Sequence, residues 1–185
     1  SSLIYMVEDL IQLSHHPESG FYLNNHEELI KNLIELDQSG QDVILIGVTY
    51  ALLDLTEKQQ FQLQNTIIME TGGMKGRRKE MIREELHEQL CAGFGVSSIH
   101  SEYGMTELLS QAYSLGEGVF ECPTWIQILI RDTEDALSYV KDGKTGGINV
   151  IDLAKINSCS FIDTKDISKK NPNTTFEVLG RFDNS

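Results

Sequence analysis

Three short groups of residues have side chains suited to a charged ligand. The first is Tyr103-Gly104-Met105-Thr106-Glu107, which places an aromatic face, a hydroxyl and a carboxylate beside a glycine. Such a set can stack a base, bond a phosphate oxygen and hold a hard cation. The second is Thr71-Gly72-Gly73-Met74-Lys75-Gly76-Arg77-Arg78. Its glycines let a ligand approach the backbone, and its basic side chains can meet phosphate near a helix start. The third is Phe161-Ile162-Asp163-Thr164-Lys165-Asp166 followed by Leu179-Gly180-Arg181-Phe182-Asp183. Each group also has an ordinary reading. Tyr103 can pack under a sheet while Thr106 and Glu107 open a helix, Arg77 or Arg83 can pair with Glu80 one turn away, and Thr-x-Asp is a common turn. The local residues leave both readings open.

Other chemistries find less support. His87 and Cys91 are four apart and Glu84 is three before His87, a helix face that could meet a metal, but no partner motif accompanies them. Adjacent His15 and His16 cannot both face one metal from a helix. The sequence contains neither a Gly-x-Ser-x-Gly elbow nor a cysteine in a nucleophile context. The glycines at Gly72 and Gly73 match neither the P-loop nor the dinucleotide fingerprint. A formal net charge of −13 argues against nonspecific binding to nucleic acid or to an anionic membrane, since both need a basic face. No apolar run approaches the length of a membrane span. Cys91, Cys122 and Cys159 are odd in number and widely spaced, so the expectation is free thiols in a reducing cytoplasm.

These groups need elements to hold them. Apolar spacing predicts a helix packed on a sheet over residues 1–14, a possible short strand at Phe21-Tyr22-Leu23, and an amphipathic helix from His26 to Ser39. Val43 to Val48 reads as a strand buried on both faces, the mark of a parallel sheet flanked by helices, and Thr66 to Glu70 as a second. Thr49 to Gln60 reads as a helix between them. A long helix is predicted from Met74 to Leu90, a strand from Val96 to His100, and a further helix from Met105. With 185 residues, 40% hydrophobic and 23% charged, the chain suits one domain with a real core, or one with a small appendage. The predicted fold class is α/β, a largely parallel sheet flanked by helices over residues 1–116, followed by a smaller, mainly antiparallel β subdomain over 117–185. Strands of that subdomain are expected at Trp125–Ile130, Ile148–Leu153, Ser158–Asp163 and Thr175–Leu179.

Taken in order, Tyr103-Gly104-Met105-Thr106-Glu107, Thr164-Lys165-Asp166 and Gly180-Arg181-Phe182-Asp183 resemble the late motifs of the adenylate-forming superfamily. Gly72-Gly73 stands in the place of the glycine pair near adenine. The run Glu70-Thr71-Gly72-Gly73-Met74-Lys75-Gly76-Arg77-Arg78-Lys79-Glu80, with the ending Leu179 to Ser185, looks most like the acyl-protein synthetase branch of the bacterial bioluminescence fatty acid reductase. That resemblance implies use of ATP and magnesium to convert a carboxylic acid, a fatty acid in that branch, into an acyl-adenylate. The acyl group then passes to a thiol, a protein cysteine or CoA. By the same resemblance Tyr103 would stack on adenine, with Gly72, Gly73 and Gly104 lining its pocket. Thr106 would contact the α-phosphate and Glu107 the magnesium ion, so that these two carry the catalysis. Asp166 and Arg181 would bond the ribose hydroxyls, and Asp183 would lie near a hinge. Work in an oligomer or complex is also implied.

The sequence departs from the superfamily pattern in two ways. A Ser/Thr/Gly-rich phosphate loop does not precede the motifs, and Lys165 stands where a glycine is usual. The chain is therefore expected to be a portion of a longer enzyme, inactive alone, whose lid lysine or acyl-accepting cysteine lies elsewhere. A CoA ligase similar to phenylacetate-CoA ligase is the nearest alternative. A non-catalytic nucleotide-binding or interaction module is the alternative from another class.

Overall fold

The apolar runs flanking Thr49 become two paired parallel strands in a computed structural model that describes residues 2–72 and 81–182. The molecule divides into two units, one formed by Leu3–Glu102 and the other by the residues from Tyr103 onward.

In the first unit the order is α1 (Ser2–Ser14), α2 (His26–Gln38), β1 (Val43–Gly47), α3 (Thr49–Lys58), β2 (Thr66–Glu70), α4 (Arg83–Phe94) and β3 (His100–Tyr103). β1 and β3 both pair in parallel with β2. Leu33 of α2, Leu52, Leu53 and Leu55 of α3, and Leu86, Leu90 and Phe94 of α4 share a core with Ile68 of β2. Asp37, itself buried, ties α2 to the start of β2 by accepting from the N–H groups of Gln64 and Asn65 and from Thr66 Oγ1. Here α/β layering follows from the pattern, as expected: amphipathic helices cover a sheet too apolar to face water.

The strand expected at Val96–His100 forms instead at His100–Tyr103, and the helix expected from Met74 to Leu90 is observed over Arg83–Phe94 with Met81 and Ile82 outside it. Three further local expectations fail in this unit. Helix α1 forms but buries none of its residues, and Tyr5 is 78% exposed. Phe21-Tyr22-Leu23 forms no strand; Tyr22 Oη instead donates to the Glu18 carbonyl at 2.7 Å, closing a loop. β1 and β2 bury only one face, because Ile44 and Ile67, side by side in register, alternate away from the helix-covered side of the sheet.

The second unit is an antiparallel sheet. Its strands are β4 (Ala112–Ser114), β5 (Val119–Glu121), β6 (Ile126–Arg131), β7 (Thr145–Asp152), β8 (Phe161–Lys170) and β9 (Phe176–Arg181), hydrogen-bonded in the order β4-β5-β9-β8-β7-β6. A 3-10 turn, Leu153–Lys155, follows β7. Phe120, Phe176, Ile128, Ile130, Ile148 and Val150 form its core. The helix expected from Met105 does not exist: residues 104–111 are turns and bends that lead directly into β4. Its N–H groups at Leu109 and Ser110 are claimed by the carboxylate of Asp152, an acceptor that lies 42 residues along the chain from Ser110 and that a local pattern cannot reveal.

Candidate functional site

Tyr103, Asp166 and Arg181 come together in the second unit. The β8–β9 register sets Asp166 directly opposite Arg181, and Arg181 Nε lies 3.2 Å from Asp166 Oδ1. The register shifts between Ile167 and Ser168, opposite Gly180. Gly180 takes φ +151°, a backbone state that side chains rarely adopt, and so delivers Arg181 to its partner. Tyr103 Oη donates to the other carboxylate oxygen, Asp166 Oδ2, at 2.8 Å. The Tyr103 ring is fixed edge-on against Phe176 at 5.6 Å and Phe120 at 6.0 Å, and those two rings stack on each other. Burial, then the Asp166 charge, pushes the Tyr103 phenol above its ordinary pKa, so it stays protonated and donates.

The Asp166 backbone is held in turn. Its N–H donates to Thr164 Oγ1 at 3.1 Å, and that hydroxyl donates to the Ile148 carbonyl at 3.0 Å. Arg131 Nη2 donates to the Thr164 carbonyl at 2.7 Å. Asp166 is thus a half-buried carboxylate on a rigid strand, whereas Arg181 is 72% exposed on its side chain and free to meet solvent or ligand. Thr106 and Glu107 are exposed on the turn that follows Tyr103 and Gly104.

Gly72 belongs to the first unit, just after β2. Its N–H donates to Glu70 Oε2 at 2.6 Å, and Thr49 Oγ1 reaches the same oxygen at 3.2 Å. Arg83 Nη1 lies 3.0 Å and His87 Nε2 3.6 Å from Glu70 Oε1. Arg83 therefore pairs across to β2, and His87 joins the same carboxylate. Among the described residues no group of His, Cys, Asp or Glu side chains could hold a metal by itself. Gly73 and Asp183 lie outside the described residues, as do Met74–Glu80 with their basic side chains.

Glu70 is buried, which raises its pKa. The neighbouring His87 and Ser101 side chains, the Arg83 charge and the Gly72 N–H outweigh that and hold it below the ordinary value. Its neighbour Glu102 has the opposite fate: burial, then the charge of Glu70, pushes it from 4.5 up to about 7. Below pH 4.5 Glu102 is protonated whether the chain is folded or unfolded, so it costs nothing. As pH rises towards 7 the unfolded chain ionises first, and the folded state loses stability by linkage. Glu102→Gln, which keeps the shape without the charge, is expected to stabilise the protein by about 3 kcal/mol at pH 8 and by little at pH 4. Urea denaturation at the two pH values measures this; an equal effect at both contradicts it.

Sequence reasoning missed Asp152 and Arg131, neither of which sits in a recognisable motif. Their one sequence signal is polarity where the strand pattern calls for an apolar residue: Asp152 is 0% exposed at the end of β7, and Arg131 is 9% exposed at the end of β6. Buried charges of this kind are rare unless they are hydrogen-bonded to something specific.

The fold is shared with solved structures. ATP-bound MatB from Rhodopseudomonas palustris matches with a TM-score of 0.57 and 16% identity over 82% of this chain and 33% of that one. A benzoate CoA ligase from Burkholderia xenovorans LB400 matches with a TM-score of 0.52 and 19% identity over 84% of this chain and 34% of that one. The o-succinylbenzoate CoA synthetase MenE from Bacillus subtilis, bound to the product analogue OSB-NCoA, matches with a TM-score of 0.59 and 18% identity over 89% and 34%. The chain thus spans about a third of the length of these structures. No protein-family profile matches the sequence, and no curated protein matches it. Identity this low carries the fold and no further. Among the described residues no helix is long and apolar enough to cross a membrane.

Proposed function

We propose that the intact protein is an ATP-dependent acid-activating enzyme and that this chain carries the nucleotide-binding part of its site. One observation carries the reading: Asp166, fixed on β8, joins the Tyr103 hydroxyl and the exposed Arg181 at the point where the Gly104–Glu107 turn begins. The Asp166 carboxylate has about four lone-pair directions, so two hydroxyl donors of a ribose fit beside its present partners. A Tyr103 ring already held edge-on by Phe176 and Phe120 stacks on adenine with little ordering cost. ATP-bound MatB shares the fold, which supports ATP as the nucleotide.

Thr106 in this reading donates to an α-phosphate oxygen, and Gly104 gives adenine close access to backbone. Glu107, exposed on the turn, suits magnesium, which takes one or two carboxylates and completes its shell with phosphate oxygens and water. That ion, when bound, neutralises charge on the phosphates. A carboxylate oxygen of the substrate attacks the α-phosphorus, the bond to the bridging oxygen breaks, and pyrophosphate leaves with that electron pair. A thiolate then attacks the acyl carbonyl and AMP departs. The chain's residues hold the α-phosphate in line and stabilise its growing charge.

The acceptor is a thiol. The motif resemblance favours a protein cysteine and a fatty acid, in a complex; the CoA analogue bound to MenE favours CoA. The decisive experiment is acid-dependent exchange of labelled pyrophosphate into ATP by the intact protein across a panel of carboxylic acids, followed by addition of CoA. Exchange with one class of acid is expected. Release of an acyl-CoA thioester selects CoA, and label retained on protein selects the cysteine. Tight AMP binding with no exchange for any acid overturns the enzymatic reading in favour of a nucleotide-binding module.

A further inference from the structure

The turn that carries Thr106 and Glu107 is not a helix, so its backbone groups need partners from elsewhere. Asp152 provides them. Its Oδ2 accepts from Leu109 N–H at 3.1 Å and Ser110 N–H at 3.2 Å, and its Oδ1 accepts from Ser110 Oγ at 2.9 Å and Ala154 N–H at 3.1 Å. Trp125 Nε1 then donates to Ser110 Oγ at 3.0 Å. Two turns of chain therefore converge on one carboxylate that no solvent reaches, and Trp125 joins them through Ser110. From the same 3-10 turn, Lys155 Nζ donates to the carbonyl of Glu107 itself. Asp152 grips the far end of the turn, and Lys155 grips the residue proposed to meet the metal.

The Asp152 side chain is out of reach of solvent, and the Lys155 ammonium is engaged by the Glu107 carbonyl. We infer that Asp152 and Lys155 are positioning residues: they set the backbone of the 104–111 turn so that Glu107 and Thr106 are aimed before ligand arrives. This rests on the proposed roles of Thr106 and Glu107. Preorganisation of this kind lowers the ordering cost that a flexible loop would impose in each cycle. A charged acceptor is suited to the task, since charge-assisted bonds are about twice as strong as neutral ones.

The test uses the intact protein and two variants, Asp152→Asn and Lys155→Met, with Lys155→Arg as the conservative control. Hydrogen–deuterium exchange of peptides covering 104–111 is read beside peptides covering β8, without nucleotide. Both variants are expected to exchange about tenfold faster in 104–111 with β8 unchanged, the loss of one charge-assisted bond. Lys155→Arg is expected to restore protection. In pyrophosphate exchange, Lys155→Met is expected to raise the magnesium concentration for half-maximal rate about tenfold while the KM for the acid stays fixed. Unchanged protection in both variants overturns the inference, as does loss of protection spread equally over β8, which marks a merely structural role. Should the unaltered protein show no pyrophosphate exchange, the proposed function fails by itself, and the deuterium readout still decides whether these two residues hold the turn.

Discussion

Glu107→Ala and Asp166→Ala are each expected to lower acid-dependent pyrophosphate exchange by about 100-fold or more, equivalent to roughly 3 kcal/mol of transition-state stabilisation. The two losses differ in kind. Glu107 is exposed and its removal disturbs no packing, so the fall should sit in turnover and in the magnesium dependence, with AMP affinity little changed. Removing the Asp166 carboxylate also strands two partners. The Tyr103 phenol, held protonated by burial and the nearby charge, loses its acceptor, and Arg181 loses its anchor. Asp166→Ala should therefore weaken AMP binding as well, whereas Tyr103→Phe, which keeps the ring against Phe176 and Phe120, should cost only a few-fold. Exchange assays with isothermal titration of AMP measure the split. Wild-type rates in both alanine variants would sink the assignment of the site, even if the fold and the ATP dependence stood.

Much of the architecture can be read from pattern. β2 is observed over Thr66–Glu70, the range its apolar run marks, and α2, β1 and α3 differ from expectation only at their ends. These segments fold as their own periodicity dictates because one packed core receives the apolar residues on the helix-covered face. The failures share a different cause. Residues 105–111 have helical spacing, yet Leu108 is buried, Leu109 is 57% exposed, and the amides go to a distant carboxylate. β4 and β5 have three residues each and gain their stability from pairing with β5 and β9, so their own sequence carries little signal. For the site, the order of the motifs singled out Tyr103, Asp166 and Arg181, and the hairpin register explains why two motifs some fifteen residues apart lie side by side. What the motifs could not indicate was the support beneath them. Asp152 and Arg131 work through geometry set by non-local pairing, and a polar residue in a strand gives no hint of which backbone it will hold.

Arg131 makes that point energetically, and its loss is expected to be the most destabilising single change in the second unit. Its guanidinium donates to the Ile148 carbonyl at 2.9 Å, Asn149 Oδ1 at 2.8 Å and the Thr164 carbonyl at 2.7 Å, with Asp163 Oδ1 at 2.6 Å and the Phe182 ring at 5.5 Å. Room for it exists only because residue 147 lacks a side chain: a Cβ on Gly147 would lie 2.5 Å from the guanidinium carbon. Asp163 is 70% exposed on its side chain, so water can replace that ion pair at little cost. The Thr164 carbonyl has no such recourse, although the Ile148 carbonyl keeps the Thr164 hydroxyl. Arg131→Ala is expected to cost about 3–5 kcal/mol, from acceptors left unpaired and a cavity left between β6, β7 and β8. Gly147→Ala should cost about 1–3 kcal/mol by overpacking. Because both effects come from one contact they should not add: in an Arg131→Met background, the Gly147→Ala penalty should largely vanish. Urea denaturation of the four proteins closes the cycle, with additive losses as the contrary result. The same cycle reaches function through one atom, the Thr164 carbonyl, since whatever frees Thr164 also frees the backbone of Asp166. AMP affinity should therefore fall in Arg131→Met even where the protein remains folded.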